Sequence, residues 1–554
     1  MTRLRALLHR KTTGAQPATA PPNRADRRGP GRRGWHVPAG GTQLVIAPID
    51  RFRATSNQLC GLYPFAAGAA APMIGVPMGR HLTSAAGTSV CCDPISWYQR
   101  ARLLSNPSEF ILGLPGLGKS TIVRRQVVGL NGYGTNSLVL GDLKGEYVDV
   151  TRALGGQVIE IGPEGGHINF LDPGDARAAA DRLEVYAADA DRAGATARAT
   201  ELRRHRSVIL AEAHTRRTTV LAALMTILRG GVPPLDWEEA ILGAALRLAD
   251  ARAAGRVGVP WAPGADVPIV ADLLDVIRDA PAEVRRMAID RGDLARYREK
   301  TESIEATLVA LSEPDGRFGV TFARHTTTRM RLDRSVVYDV SRIDDAQMDY
   351  QAAVLLACWS AGFGAVNIAN VLADAGLEKR RHYFVIMDEL WRALQAGQGM
   401  VDRVNALSRL NRSKGVGVAM VSHTMEDLLA LPTESDRMKA RGLVARAGMV
   451  ICAGLPESEF ELLRGVARFS RAERDMLIGW TDPSAWNPKT GAEDAPPGQG
   501  HFLIKVKTKP GIPFHLQLTS IEQDLALNDT SKLWHDVSRI GSIADLPPLE
   551  GVAA

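Results

Sequence analysis

The sequence predicts an α/β chain: a core of parallel strands and covering helices, interrupted by an α-helical insert and preceded by a small β-rich segment. Three observations carry this. A short apolar run, Phe110-Ile111-Leu112, enters the glycine-rich stretch Gly113-Leu114-Pro115-Gly116-Leu117-Gly118 and leaves it through Lys119-Ser120-Thr121 into IVRRQVVGL, which reads as strand, loop and helix. A second apolar run, Tyr383 to Met387, ends in Asp388-Glu389. Between the two, composition shifts at about residue 175 to Ala, Arg, Leu, Asp and Glu at helical spacing, and the strand pattern resumes after 330.

These shifts divide the chain into a basic tail (1–40), a β-rich lead-in (41–100), the two parts of the core (101–174 and 331–520) around the insert (175–330), and a C-terminal tail (521–554). The first 34 residues hold nine Lys or Arg against Asp26 alone, yet the formal charge of the whole chain is only +6. The body is therefore slightly acidic and does not read as a broadly basic nucleic-acid surface. The tail is either a solvated extension or a tether for anionic lipid or DNA. Its Arg pairs are followed by no apolar segment, so it does not read as a signal peptide. Cys60, Cys91, Cys92, Cys358 and Cys452 show no C-x-x-C spacing, which argues against a zinc site or disulfide framework and for a reducing compartment.

In chain order, residues 42–50 predict a short strand, 54–79 a loop-and-strand region broken by Pro64, Pro72 and Pro77, and Ser89 to Cys92 another strand. After the glycine loop, Ser137 to Leu140 is an apolar run ending in GDLKGEY, and Val158 to Ile161 alternates. In the insert, Asp236 and Glu239 predict a capping box, and Leu273, Val276 and Ile277 share a helix face. Val336 to Val340 predicts a strand. Residues 350–373 are uncharged over a length that would span a bilayer of roughly 20 residues, but Asn367, Asn370 and the small residues favour a buried helix. Residues 400–414 predict a helix with Arg409 and Arg412 on one face. Residues 415–421 and 449–453 predict strands, the former carrying His423 beyond its end, and 501–506 with 514–518 predict a hairpin around Lys509-Pro510-Gly511.

The chemistry follows from residue types. Glycines let successive backbone N–H groups of Gly113 to Thr121 turn toward phosphates, Lys119 supplies a point charge, and the Ser120 hydroxyl suits Mg²⁺. Asp388 is placed to hold the metal through water and Glu389 to polarise an attacking water. His423 either senses the γ-phosphate or merely ends its strand.

With YPF…GVPMG, GLPGLGKST, VLGDLKGEY, GGQVIEIGPEGGHINFLDP, VVYDVSRID, VIMDELW, SRLNRSKGVGVAMVSH and GHFLIKV…GIPFHLQLT in this order, the chain resembles the conjugation ATPases of type IV secretion systems, the VirB/TraC-type branch of the FtsK/HerA superfamily of RecA-like motors. The resemblance implies a RecA-like phosphate-loop ATPase core, ATP and Mg²⁺ as ligands, and hydrolysis with Lys119, Ser120, Asp388 and Glu389 in the roles above. It further implies a homohexamer, an arginine finger at Arg409 or Arg412, and a nucleotide-facing Asp142 and Glu146. The implied location is cytoplasmic, at the inner face of the membrane, with secretion-channel proteins as partners. DNA and, through the basic tail, the membrane are further candidate partners. Two departures stand out: His423 occupies a position where the family usually has Gln, and only about a hundred residues precede the loop. A DNA-pumping motor of the FtsK or coupling-protein type and a nucleotide-binding scaffold without hydrolysis are the competing readings.

Overall fold

The computed structural model describes residues 72–83, 88–255, 266–396, 399–408, 415–431, 433–487, 492–493 and 495–528. The expected strand at 42–50, the basic tail, Arg409 and Arg412 lie outside the described residues.

The strands, in chain order, are β1 (Pro77–His81), β2 (Ser89–Cys91), β3 (Ser108–Leu112), β4 (Asn136–Asp142), β5 (Gln157–Glu160), β6 (Val336–Asp339), β7 (Tyr383–Met387), β8 (Val416–Val421), β9 (Met449–Cys452), β10 (Trp486–Asn487), β11 (Ala492–Glu493), β12 (His501–Lys505) and β13 (Ile512–Leu516). All but the β10–β11 ribbon form one sheet in the order β2-β1-β13-β12-β9-β3-β8-β7-β4-β6-β5. From β9 to β5 every neighbouring pair is parallel. From β9 to β2 every pair is antiparallel. In the described part of the β-rich lead-in, β1 and β2 extend the antiparallel edge made by the β12–β13 hairpin.

A parallel sheet in a chain of this kind is covered on both faces, and the side-chain period of two divides the strand residues accordingly. Phe110, Leu112, Leu138, Leu140, Val385 and Met387 join one apolar cluster, which includes the helix Met348–Asp374. The alternate residues Ile111, Val139, Phe384 and Ile386 join another, against the helix Lys119–Gly132 and the lead-in residues Val76, Met78 and Trp97. The 27-residue helix Met348–Asp374 is long and apolar enough to cross a membrane, but 89% of its most apolar window is buried inside the protein. Its burial against the sheet is the fate that Asn367 and Asn370, both buried, favoured.

Helices make up most of the described residues between 176 and 322. Ala176–Arg192 and Thr196–Leu228 fold back on each other and bury Leu183, Leu202 and Ile209 with Ile368, Val371 and Leu372. Arg217 grips both oxygens of Asp250 at 2.8 Å, a charge pair satisfied in the fork geometry of guanidinium and carboxylate. The expected capping box at Asp236 is displaced by one residue. Leu235 precedes the helix Asp236–Ala254, and Glu238 accepts the Leu235 N–H at 2.8 Å. Glu238 also pairs with Arg229, which draws its carboxylate toward the helix start. Leu273, Val276 and Ile277 are buried together as their spacing requires.

One buried acid in the core has a stability consequence. Glu109, on β3, is fully buried and accepts from Gln126 Nε2 at 3.0 Å. Burial, partly offset by that hydrogen bond, raises its pKa from 4.5 to about 8. The folded chain therefore holds a proton that the unfolded chain has released, and stability falls as pH rises from 4.5 to about 8. Glu109→Gln retains an acceptor for Gln126 and has no proton to lose. Relative to the parent it should gain stability across this window by up to about 1.4 kcal/mol per pH unit. Urea unfolding at several pH values checks this; a gain independent of pH would contradict it.

Candidate functional site

The strand order β3-β8-β7-β4 sets the site. Parallel registration aligns Ile111 with Val421 and Met387 with Met420, so the C-terminal ends of these strands lie side by side. Adjacent strands are about 4.8 Å apart, so the groups following four strands fall within a few strand spacings. These are the glycine loop after β3, Ser422-His423 after β8, Asp388-Glu389 after β7, and the 142–147 turn after β4. In an open parallel sheet this edge is where ligands bind.

The loop is built into its neighbours. Gly113 N–H donates to His423 O at 2.8 Å, and Leu114 N–H to Gly454 O at 3.1 Å. A Cβ on Gly113 would come within 2.5 Å of Ala453 Cβ, so only glycine lets the loop leave β3 this close to β9. Leu117 is buried, and its carbonyl accepts from Gly500 N–H just before β12, while Pro115 and Gly116 are exposed. Gly118 precedes the helix in the left-handed region, φ 98°, and no side chain caps the helix start. Uncapped N–H groups at an N-terminus flanked by lysine suit a phosphate. Lys119 Nζ donates to the carbonyls of Gly113 at 2.7 Å and Leu114 at 3.1 Å. Burial lowers its pKa to about 8 against the opposing pull of Asp388 and Glu389. Ser120 occupies the first helical turn and is half-buried. Thr121 Oγ1 accepts weakly from Arg124 at 3.4 Å.

Asp388 accepts from Tyr147 OH at 3.0 Å and from the Glu389 N–H at 2.9 Å. Burial, reinforced by the charge of Glu389, raises its pKa to about 6. Glu389 is 4% exposed and adopts the left-handed backbone, φ 49° and ψ 39°, a conformation that non-glycine residues rarely take outside functional turns. Lys144 Nζ donates to its Oε1 at 2.7 Å, Trp391 Nε1 to its Oε2 at 2.5 Å, and His423 Nε2 lies 3.4 Å from Oε2. Burial alone would raise its pKa, but the His423 and Lys144 contacts win and hold the carboxyl well below the usual glutamate range. Glu389 is thus an anion.

Sequence spacing brings together what it was expected to bring: loop, Lys119, Ser120, Asp388, Glu389 and His423 share one edge. Asp142 has another task. Its carboxylate accepts the N–H groups of Lys144, Glu146 and Tyr147, at 3.3, 3.0 and 2.7 Å, and is 1% exposed. It shapes the turn that carries Lys144 rather than facing a ligand. Lys144, Tyr147 and Trp391 were missed as site residues, although GDLKGEY and DELW contain them; their partners lie 245, 241 and 2 residues away. Among the described residues, no group of three His, Cys, Asp or Glu is placed to hold a metal. Mg²⁺ brought with nucleotide phosphates needs only a hydroxyl and an outer carboxylate, which Ser120 and Asp388 provide. Among the described residues, the buried Ser422 Oγ and His423 Nδ1 have no hydrogen-bond partner, which leaves polar capacity at this edge for water or ligand.

No protein-family model matches the sequence, and no curated protein sequence matches it. Among solved structures, the chain is similar to VirB4 of Thermoanaerobacter pseudethanolicus, with TM-score 0.55 and 18% identity over 82% of this chain and 100% of that one. At that identity the likeness establishes the fold alone, a mixed α/β fold built on one large sheet. The bacterial conjugative coupling protein TrwB, truncated at its N-terminus and in complex with sulphate, gives 0.43 and 10% over 86% of this chain and 96% of that one. TrwB in complex with ADP and Mg²⁺ gives 0.42 and 10% over 74% and 85%. Both overlaps are too loose to carry residue roles across.

Asp142→Asn should loosen the 142–147 turn, because an amide NH₂ would replace one acceptor facing buried N–H groups. A loss of about 1–3 kcal/mol is expected in denaturant unfolding, with faster hydrogen exchange at the Tyr147 amide. Unchanged exchange would remove Asp142 from that role.

Proposed function

We propose that the chain is a Mg²⁺-dependent ATPase that energises assembly of, or transport by, a conjugation-type (type IV) secretion system. The observation that carries this reading is the convergence of an uncapped glycine loop with Lys119 and Ser120, and of the adjacent carboxylates Asp388 and Glu389, on one edge of a parallel sheet. The fold likeness to VirB4 over the full length of that structure supports the secretion assignment over a DNA pump.

In this reading the loop N–H groups and Lys119 bind the β- and γ-phosphates, Ser120 ligates the metal, and Asp388 holds it through water. A Mg²⁺ held there by Ser120 and, through water, by Asp388 would supply neutralisation of the phosphate charge. Glu389, whose carboxyl the His423 and Lys144 contacts hold, against burial, below the usual glutamate range, accepts a hydrogen bond from the attacking water and orients it. His423, beside Glu389 and bonded through its carbonyl to Gly113, is suited to report the γ-phosphate. A homohexamer, channel proteins as docking partners, and an anionic surface for the basic tail belong to the same proposal, as does a cytoplasmic site at the membrane's inner face.

Lys119→Ala should abolish ATP turnover without unfolding the chain. Glu389→Gln should bind ATP and not hydrolyse it, since the loop and metal ligands survive. Turnover retained in both variants would overturn the site. DNA should leave turnover unchanged; strong stimulation would favour the DNA pump.

A trans-acting arginine is tested by mixing. Arg409→Ala or Arg412→Ala should be nearly inactive, with turnover lowered by roughly 10³ or more. Mixing with Lys119→Ala protein should restore part of the rate, because an intact loop then meets an intact arginine on a neighbour. No recovery between exchanging subunits would confine these arginines to one chain.

A further inference from the structure

Lys144 is not explained by packing. Its backbone is fixed by the Asp142 carboxylate, which accepts its N–H and those of Glu146 and Tyr147. Its side chain is 49% exposed, yet the ammonium reaches inward to a carboxylate that is 6% exposed and closes on it at 2.7 Å. With Trp391 and His423 on the other oxygen, both oxygens of Glu389 are engaged by protein. The second lysine of the site is also turned inward, onto the carbonyls of Gly113 and Leu114. The two lysines share one field: the charge of Lys144 depresses Lys119, and Asp388 and Glu389 act on both.

A carboxylate held on both oxygens is poorly placed to accept a hydrogen bond from an attacking water. Something must take Lys144 away, and the chemistry that competes for an ammonium here is a phosphate of higher charge arriving on the neighbouring loop. We infer that Lys144 is a switch lysine, pairing with Glu389 as seen here and transferring to the terminal phosphate when a triphosphate binds, which releases Glu389 to orient water. The inference rests on the phosphate-loop ATPase reading above and adds a residue and an order of events to it. The half-exposed four-carbon stem makes the transfer a side-chain rotation, with the turn held in place by Asp142. A diphosphate, ending short of the terminal position, leaves Lys144 on Glu389, so the device distinguishes ATP from ADP before any chemistry.

The exchange is a linkage, and a linkage is measured by a binding cycle. A non-hydrolysable ATP analogue and ADP, each with Mg²⁺, are titrated into the full chain, Lys144→Ala, Glu389→Gln and the double variant. Lys144→Ala should weaken the triphosphate by about tenfold more than ADP, and retained ADP binding reports a folded loop. Glu389→Gln loosens the grip on Lys144 without changing shape, and should tighten the triphosphate by about three- to tenfold. That gain should vanish in the Lys144→Ala background. If Glu389→Gln tightens the triphosphate equally in both backgrounds, the effect is simple relief of like-charge repulsion and the switch is wrong. Equal loss of both nucleotides on removing Lys144 also overturns it. Should the parent chain bind neither nucleotide, the ATPase reading itself fails; normal parent binding with an additive cycle removes only the role of Lys144.

Discussion

The structure depends on a parallel sheet buried on both faces. Because parallel neighbours need long crossovers, the chain must leave the sheet after each strand and return over one face or the other. The helix Lys119–Gly132 covers one face and the helix Met348–Asp374 the other. Strand side chains are apolar in both directions as a result, which is why β7, and β3 from Phe110 onward, read as continuous apolar runs rather than alternating ones. With both faces occupied, polar groups that must meet a ligand are left only the strand ends. The placement of β8 between β3 and β7 then decides the geometry: it sets His423 between the loop and the two carboxylates.

How much of this the sequence disclosed can be traced residue by residue. The glycine loop and Asp388-Glu389 were legible because their chemistry constrains neighbours in the chain: a turn that must bring backbone close to phosphate, and a carboxylate pair at a strand end. The burial of Met348–Asp374 was legible from Asn367 and Asn370, which a lipid-facing helix would expose at a cost. Lys144 was not legible as a partner of Glu389, because a salt bridge across 245 residues leaves no periodicity. Asp142 misled for a related reason. An aspartate at a strand end looks the same whether it faces a ligand or caps the following turn, and only the three N–H groups aimed at it decide. The displaced cap at Glu238 likewise reflects its tertiary partner Arg229, a term local rules omit.

The electrostatics of the site fit these assignments. Lys119 and Lys144 face Asp388 and Glu389, and Glu146 is close enough to act on Lys119, Lys144 and Asp388. Among the acids, Asp388 and Glu389 are treated oppositely despite being adjacent. Asp388 has a phenol and a backbone N–H for partners, and burial raises it to about 6. Glu389 has two cationic or imidazole contacts and stays ionised. Adjacent carboxylates whose environments separate their ionisation are the usual mark of divided roles, one for a cation and one for a water.

In the proposed reading, the contacts that a nucleotide phosphate would compete for are those of Lys119 with the Gly113 and Leu114 carbonyls and of Lys144 with Glu389. The backbone does not oppose this. Gly113 is tied to His423, and the 142–147 turn to Asp142, by bonds that no phosphate needs to break. The rearrangement is therefore confined to long side chains and to Glu389, whose left-handed backbone already stands apart from the helix Leu390–Gln395 that it precedes. The link from the loop through His423 to Glu389 follows from strand order alone: these groups come from the ends of three adjacent strands, β3, β8 and β7, of one sheet.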